Sequence, residues 1–345
     1  MAKILHVTEA LGGGVATAIA QYMMHAPQHQ HALLAAAREG VDPGVSYHQF
    51  VAFQKNLPRA LWGAVRAIRE TYHDWRPDFV HLHSSFAGGY GRLAGLPWRS
   101  IIYTPHGYAF NSLDFSPFKR TAYFAAEMLL SLLGQHIAGV SPYEVACAKK
   151  VSLINTLHLL PNAITLPHRF VRPSQPWQKE SGQPLRVMMV GRVLPVKDPA
   201  FFAAVARRCA EKKLPVQLTW LGGGDEALEK HLAESGVQVS GWLSRDEILE
   251  KMIEADVYCH TAAWEALPVT ILEAAMMGKP IFVRDITALS ALGLRGCVET
   301  PLQAAEMLKN LCDGEGWDVC TENQRMLQEN YSPDVQRQAL AALYG

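Results

Sequence analysis

The feature of this 345-residue sequence that most constrains its fold is an alternation of short apolar runs with helical patterns, which occurs twice. Apolar runs predict strands, and apolar residues at helical spacing predict the helices between them. Strands that alternate with helices of this length indicate a parallel sheet covered on both faces. In the first half, the predicted strands span residues 3–7, 31–37, 79–83, 101–104, 137–140 and 157–160, and predicted helices span 15–24 and 58–73.

A Pro-rich segment separates the two halves. It reads LPHRFVRPSQPWQKESGQP over residues 166–184, has no apolar period and is typical of a linker. In the second half, strands are predicted over 185–190, 216–221, 257–259 and 280–283, and helices over 199–212, 247–255, 269–277 and 332–344. The expected fold class is α/β, with doubly wound Rossmann-like domains over 1–165 and 185–331.

The charge balance excludes one class of partner. Lys plus Arg and Asp plus Glu both number 32, whereas a nucleic-acid-binding chain usually carries a net or clustered basic surplus. No nucleic acid is therefore expected as a partner. The six cysteines form no C-x-x-C pair and are expected to be reduced thiols of a cytoplasmic protein. The N-terminus does not read as a signal peptide, and no apolar run has the length of about 18 residues that a membrane span requires.

Three consecutive glycines, Gly12 to Gly14, lie between the first predicted strand and the first predicted helix. Such a turn lets the backbone approach a phosphate, and the helix N-terminus favours the anion. The dinucleotide fingerprint G-x-G-x-x-G fails because position 17 is Thr, which argues against an NAD-dependent oxidoreductase. The turn therefore predicts a phosphate contact at Gly13 and Gly14, with a tight turn that binds nothing as the alternative.

Two carboxylates, Glu265 and Glu273, lie eight residues apart with Pro268 between them. Proline favours the first turn of a helix, so Glu265 is expected on a loop at the carboxyl end of a strand, and Glu273 inside the following helix. Ligands of open α/β sheets bind at those carboxyl ends. Free N–H groups near Leu267 to Thr270 would point at an anion, so Leu267, Pro268 and Val269 are candidate donor contacts, while the carboxylates hold hydroxyls. The alternative is a pair of solvated glutamates.

Two cations follow the first strand of the second half. Arg192 and Lys197 come after Gly191 and would neutralise a diphosphate, Arg by a fork and Lys as a point charge. The alternative is a pair of ordinary surface cations. In the first half, His106 follows a buried-looking strand and precedes Gly107, a position that favours a site role.

These motifs resemble those of the retaining glycosyltransferases of family 4, which have the two-domain GT-B fold. The resemblance covers nearly the whole chain. Its strongest element is E-x7-E at Glu265 and Glu273, followed by A-A-M-M-G-K-P, and G-R-x4-K matches at Arg192 and Lys197. The stretches HLHSSFAGGYGRLA and YTPHG are similar to bacterial members that build surface polysaccharides. The implied architecture is an acceptor-side domain and a donor-binding domain that face each other across a cleft.

The resemblance implies a role for each matching residue. Glu265 would contact the hydroxyls of the donor sugar, and Glu273 would hold the ribose. Arg192 and Lys197 would hold the diphosphate. His106 would lie near the reacting carbon and the 6-position of the sugar.

The resemblance also implies roles for the glycine turn of the first domain and for the last helix of the chain. Gly13 and Gly14 would let a loop of that domain close over the phosphates, and the last helix would cross back to it. Three places depart from the family pattern: Ala266 replaces a frequent Gly, Phe86 replaces a frequent Lys, and residues 284–289 replace a glycine-rich stretch. No D-x-D or H-E-x-x-H pattern occurs, so neither a metal nor a cofactor is expected.

The implied reaction moves a hexose or N-acetylhexosamine from a nucleoside-diphosphate sugar, with UDP as the expected carrier, to a saccharide acceptor. A lipid-linked acceptor would bring the enzyme to the cytoplasmic face of the inner membrane. A basic helix carrying Arg59, Trp62, Arg66 and Arg69 would make that contact, with an ordinary solvated face as the alternative. Two other functions stay open, a nucleotide-sugar epimerase of the same fold and a non-catalytic binding protein.

Overall fold

The computed structural model describes residues 1–37, 48–172 and 182–345. These residues form two compact units, Met1–Ala163 with Pro333–Gly345, and Ile164–Ser332. The first unit thus ends at residue 163, where the sequence placed a boundary at 165. Of the predicted linker, residues 173–181 lie outside the described residues, and His168–Phe170 forms a single 3-10 turn. The acceptor-side and donor-binding roles of the two domains remain predictions.

The first unit is built on a parallel sheet with the strand order β3-β2-β1-β4-β5-β6-β7. Its strands are β1 (Lys3–Leu11), β2 (Gln30–Ala37), β3 (Val51–Asn56), β4 (Phe79–His83), β5 (Ile101–Thr104), β6 (His136–Gly139) and β7 (Thr156–Leu159). The order reverses at β1, because β2 and β3 lie on one side of it and β4 on the other. Such a reversal creates a crevice at the carboxyl ends of the two strands where it occurs.

Helices cover this sheet. They are α1 (Gly13–His25), α2 (Leu61–Trp75), α3 (Ser85–Leu93), α4 (Pro117–Leu130), α5 (Pro142–Val151) and, from the end of the chain, α13 (Pro333–Tyr344). The last helix packs Leu340, Leu343 and Tyr344 against Ile4 and Tyr22. Burial of these side chains removes apolar surface from water, and this attaches α13 to the first unit.

The second unit repeats the design with the parallel order β10-β9-β8-β11-β12. Its strands are β8 (Leu185–Val190), β9 (Val216–Leu221), β10 (Gln238–Val239), β11 (Val257–His260) and β12 (Ile281–Val283). Its helices are α6 (Pro199–Glu211), α7 (Glu226–Glu234), α8 (Arg245–Glu254), α9 (Val269–Met276), α10 (Thr287–Ser290), α11 (Pro301–Cys312) and α12 (Trp317–Asn330). The order reverses at β8. Two Rossmann-like units therefore confirm the predicted α/β class.

Most predicted elements lie where the sequence placed them, and some bounds are wrong. The helix expected from residue 15 begins at Gly13, which has a positive φ of 56° that glycine adopts without strain. The short strands β3 and β10 were missed, and helices α3, α4, α5, α7, α10, α11 and α12 were not predicted. No helix among the described residues combines the length and apolar character needed to cross a membrane.

Candidate active site

The loops that carry Lys197 and Glu265, two residues of the predicted donor site, lie where the strand order of the second unit reverses. Lys197 follows β8 in a 3-10 turn, and Glu265 follows β11 in the loop before α9. A backbone hydrogen bond of 3.0 Å from Ala263 N to Val196 O joins the two loops. Strands β8 and β11 are neighbours, so their carboxyl ends present these loops at the same place.

Lys197 and Glu265, predicted to bind different parts of the donor, form an ion pair with each other. Both side chains are mostly buried. Nε2 of His260, the last residue of β11, lies 3.6 Å from the Glu265 carboxylate. The alternative that Glu265 is a solvated surface glutamate is therefore wrong.

The charge state of Glu265 follows from these neighbours. Burial by itself would raise the pKa of the carboxyl, but the Lys197 charge and His260 outweigh it and lower the pKa to about 2. Burial also lowers the pKa of His260, so this imidazole is neutral. Glu265 is thus an ionised hydrogen-bond acceptor at neutral pH. It suits the binding of sugar hydroxyls and does not suit proton donation.

Glu273 lies inside α9, as predicted, and is almost fully buried. Its Oε1 atom lies 2.5 Å from Nη2 of Arg245, the first residue of α8. A buried carboxylate requires a partner of this kind, because an isolated buried charge is very costly. Arg245 was not predicted as a site residue, because it lies 28 positions from Glu273 and no sequence pattern connects the two.

Arg192 lies in the loop after β8, between Gly191 and Val193. The loop after β9 passes so close that a Cβ atom on Gly222 would lie 2.3 Å from Gly191 O, and one on Gly224 would lie 2.2 Å from Val193 O. These glycines therefore permit close contact between two loops. Gly191 also approaches Lys197, since a Cβ on it would lie 3.3 Å from Lys197 Cε.

The segment 267–269 begins α9. Pro268 occupies the cap position instead of the predicted first turn, and no side chain caps the helix. The side chains of Leu267 and Val269 are buried, so a ligand at this helix end would meet backbone. Uncapped N–H groups at a helix N-terminus favour an anion. The donor-binding role of these three residues remains a prediction.

One further pair connects the strand ends. Arg284 directly follows β12, and its Nη1 atom lies 2.5 Å from Asp198 Oδ2. Asp198 also caps α6, because its Oδ1 accepts a hydrogen bond of 3.0 Å from Phe201 N. The guanidinium of Arg284 lies over the Phe201 ring. Arg284, which the sequence analysis noted only as a departure from the family, thus fixes the helix that follows Lys197.

In the first unit, the glycine turn lies where β1 passes into α1. Gly12 is the cap residue, no side chain caps the helix, and Gly13 and Gly14 are exposed. The position matches the carboxyl end of a strand at the reversal of strand order. Thr17, which breaks the dinucleotide fingerprint, donates a hydrogen bond of 3.2 Å to Gly13 O. Phosphate binding at Gly13 and Gly14 remains a prediction.

His106 follows β5 in a left-handed conformation, with φ of 51°. The next residue, Gly107, donates a 2.5 Å hydrogen bond from its N–H to Oε1 of the buried Glu144. Burial raises the pKa of Glu144 to about 7, although the N–H groups of Val140 and Gly107 partly oppose this. Glu144 was not predicted as a site residue. Its signal was the S-x-x-E helix start that follows β6, a capping pattern.

Among the described residues, one group of side chains comes close enough to share a metal ion. Nitrogen atoms of His6, His81 and His83 lie within 4.8 Å of one another. Both ring nitrogens of His81 already bond at 2.7 Å, to Thr104 and Tyr344, and those of the other two bond to histidines. The group fits hydrogen-bonded neutral rings better than a metal site, and metal independence remains a prediction.

Two family profiles match the chain. The profile described as "Glycosyl transferase 4-like domain" matches residues 12–163, and the one described as "Glycosyl transferases group 1" matches residues 184–313. Each covers one of the two α/β halves, and the second includes all predicted site residues from Gly191 to Glu273.

Relatives agree with the profiles. An uncharacterized 41.2 kDa protein in the cps region of Klebsiella pneumoniae is 23% identical over 83% of this chain and 82% of its own length. A UDP-Gal:alpha-D-GlcNAc-diphosphoundecaprenol alpha-1,3-galactosyltransferase of Escherichia coli is 28% identical over 62% of this chain, but the match spans only 59% of that enzyme.

The fold has solved counterparts. The crystal structure of Anabaena HepE in complex with UDP and glucose superposes with a TM-score of 0.77 over 99% of both chains, at 14% identity. At that identity, the likeness shows the fold alone. With both profiles and this fold, the chain belongs to the group 1 glycosyl transferases, family 4 of the glycosyltransferases, with the GT-B fold.

Proposed function

We propose that this protein transfers a hexose or N-acetylhexosamine from a UDP-sugar to a lipid-linked saccharide acceptor in bacterial surface polysaccharide synthesis. The observation that carries the proposal is the Lys197–Glu265 pair at the carboxyl ends of β8 and β11. It places a cation and an ionised acceptor side by side, which suits a ligand that has both a phosphate and sugar hydroxyls.

The donor and acceptor classes draw support from the relatives. The E. coli relative is named for a UDP-galactose donor and a diphosphoundecaprenol-linked acceptor, and the Klebsiella relative for the cps region. The HepE structure holds UDP and glucose. A UDP-sugar is therefore the first donor to test, and a guanosine diphosphate sugar is the second.

The proposed mechanism retains the anomeric configuration and needs no metal. The bond from sugar to phosphate breaks through an oxocarbenium-like transition state. Lys197, Arg192 and the N-terminus of α9 would stabilise the charge on the departing diphosphate. The acceptor hydroxyl would attack from the face that the phosphate leaves, and the phosphate oxygen would take its proton. With a pKa of about 2, Glu265 stays ionised and orients the sugar.

We also propose peripheral contact with the cytoplasmic face of the inner membrane, on a different surface from the predicted basic helix. On α2, the Arg66 guanidinium bonds to Glu70 at 2.7 Å and Arg69 to Ala94 O at 2.9 Å. The Glu70 carboxylate partly compensates the Arg66 charge, and the bond to Ala94 O holds the Arg69 side chain against the protein. Trp62 remains exposed there.

Helix α4 and the turn after it offer a stronger lipid-binding surface. Phe118 is 83% exposed and Leu129 66% exposed, and both lie on one face of α4 because they are 11 residues apart, about three helical turns. Leu132 and Leu133 continue the exposed apolar surface beyond Ser131. Apolar side chains of this size insert into a bilayer interface.

Vesicle binding at low salt tests this surface. We expect F118S/L129S to lose binding and R66S/R69S to bind as wild type does.

The reaction is tested by product analysis. Purified protein is incubated with UDP-glucose, UDP-galactose, UDP-N-acetylglucosamine and a short-chain polyprenyl-diphosphate N-acetylglucosamine, with and without EDTA. The proposal expects UDP release that requires the acceptor, persists in EDTA and gives an axial anomer by NMR. Interconversion of the nucleotide sugar without acceptor would indicate an epimerase, and binding without turnover a non-catalytic protein.

A further inference from the structure

Four histidines of the first unit form a continuous chain across four adjacent strands. His31 lies on β2, His6 on β1, His83 on β4, and His106 directly after β5. In the sheet these strands stand in the order β2-β1-β4-β5. Side chains of alternate residues point to the same face of a strand, and the register pairs bring the strand histidines onto one face.

The imidazoles are linked through their ring nitrogens. His31 Nδ1 lies 3.0 Å from His6 Nε2, His6 Nδ1 lies 2.9 Å from His83 Nε2, and His83 Nδ1 lies 3.1 Å from His106 Nε2. At the inner end, His31 Nε2 lies 3.0 Å from the carbonyl oxygen of Ala26. Each distance is that of a normal hydrogen bond.

The carbonyl at the inner end fixes the direction of every bond. A carbonyl oxygen only accepts, so His31 must carry its proton on Nε2. A neutral imidazole has one donor and one acceptor, which leaves His31 Nδ1 to accept from His6 Nε2. The same reasoning passes along the chain to His83, whose Nδ1 accepts from His106 Nε2. Burial lowers the pKa of all four rings, that of His106 to about 3, so they are neutral at pH 7.

We propose that this histidine chain locks His106 in the Nε2–H tautomer, so that its Nδ1 is a fixed hydrogen-bond acceptor for a hydroxyl of the sugar substrate. His83, His6 and His31 are then positioning residues that act through His106. His106 is only half-buried, whereas the other three rings are buried. No described residue bonds to His106 Nδ1, so the free acceptor of the chain lies at its more exposed end.

The assignment separates His106 from its neighbours. If His31, His6 or His83 gained a proton on Nδ1, that N–H would face the Nε2–H of the next ring toward His106. His81, although its ring centroid lies 4.1 Å from that of His83, is bonded to Thr104 and Tyr344 instead and does not belong to the chain. The tautomer is a property of the free protein, but the substrate contact rests on the proposed function.

Two substitutions at His83 distinguish the chain from simple packing. In H83N, the amide group occupies the region of Nδ1, so its oxygen can still accept from His106. In H83Q, the longer amide reaches the region of Nε2, which keeps the side toward His6 and removes the acceptor for His106. Circular dichroism and thermal melting establish that both variants are folded.

The experiment is long-range proton–nitrogen NMR of the full-length protein labelled with ¹⁵N-histidine at pH 7, without substrate. His106 signals are assigned by their loss in H106N. We expect the Nε2–H tautomer in wild type and H83N, and a mixture of tautomers in H83Q. An Nδ1–H tautomer or an imidazolium at His106 in wild type, or an unchanged H83Q spectrum, would overturn the proposal.

Kinetics of the same variants test the substrate contact. We expect kcat/KM to fall about tenfold in H83Q, the scale of one misplaced hydrogen bond, and to recover in H83N. Equal losses in both variants would assign His83 a structural role only. If wild type shows no transferase activity with any donor, the proposed function fails while the tautomer result stands by itself.

Discussion

The ammonium group of Lys197 and the carboxylate of Glu265 pair at the ends of two neighbouring strands, β8 and β11. The 3.0 Å backbone bond from Ala263 to Val196 holds the two loops together beside them. Each charge thus compensates the other before any ligand arrives. A bound diphosphate and sugar would exchange part of this pairing for their own contacts.

Substitution of Lys197 by Met should lower kcat by a factor of about 100 to 1,000, the range for loss of one transition-state charge donor. It also leaves the mostly buried Glu265 carboxylate without its cation. Steady-state kinetics at saturating UDP-sugar measure the effect. The matched control is K212M, because Lys212 forms a more exposed ion pair with Glu306 in the same unit. A K197M enzyme as fast as K212M contradicts the assignment.

Arg192→Ala should raise the activation barrier by roughly 3–4 kcal/mol if the guanidinium stabilises the departing diphosphate. The loss should appear mainly in kcat, since the charge develops in the transition state. Arg208→Ala, on an exposed part of α6, serves as the control. Near wild-type turnover in R192A would remove Arg192 from the mechanism.

Arg245→Met should lower the free energy of unfolding by about 3 kcal/mol, because it leaves the Glu273 carboxylate buried without a partner. Urea denaturation measures the change. The double variant R245M/E273Q should recover part of the loss, since the uncompensated charge is gone. Arg208→Met, which breaks an exposed pair with Glu211, should change stability by less than about 1 kcal/mol. A similar loss of unfolding free energy in R245M and R208M would mean that the buried pair stabilises the protein no more than the exposed one.

Titration of Glu144 should lower the free energy of unfolding as the pH rises from about 4.5 to about 7. In this window the unfolded chain has released the proton, while the folded carboxyl, with its pKa raised by burial to about 7, still holds it. A group that binds its proton more tightly when folded loses stability as pH rises, here by up to about 3 kcal/mol. The slope should be smaller in E144Q and unchanged in E70Q, on the exposed side of α2. Urea titrations at pH 5, 6, 7 and 8 measure it, and equal slopes in E144Q and wild type would exclude Glu144 as its source.

The sequence located the strands that form the site because their apolar runs are continuous and end at clear turn residues. The bounds of β4, β5, β8 and β9 agree with the prediction to the residue. Strand β3 escaped because its sequence, VAFQKN, lies at the sheet edge with four of six residues exposed and carries little apolar signal. Strand β10 is only two residues long, too short for a periodicity to appear.

The sequence also identified charged residues of the site, but it did not predict which of them form ion pairs with each other. Lys197 and Glu265 were each recognised from a motif and a strand end, whereas their mutual pairing depends on the register of β8 against β11. Arg245 belongs to no recognised motif, and the capping pattern at Glu144 does not indicate its partners; only tertiary structure brings them to Glu273 and Gly107. Motifs record local chemistry, and ion pairs between distant segments depend on packing.

Nucleotide binding by wild type, K197M and K212M shows whether the Lys197–Glu265 pair forms part of a site for a nucleoside diphosphate. Thermal melting is followed with UDP, GDP, ADP and NAD, each with and without EDTA; a ligand at 100 times its Kd adds about 2.7 kcal/mol of stability. We predict that one nucleoside diphosphate, UDP first, raises Tm by several degrees in wild type and K212M. EDTA should have no effect, and K197M should lose most of the shift. A shift with NAD alone, or an equal shift with UDP in K197M and wild type, would contradict it.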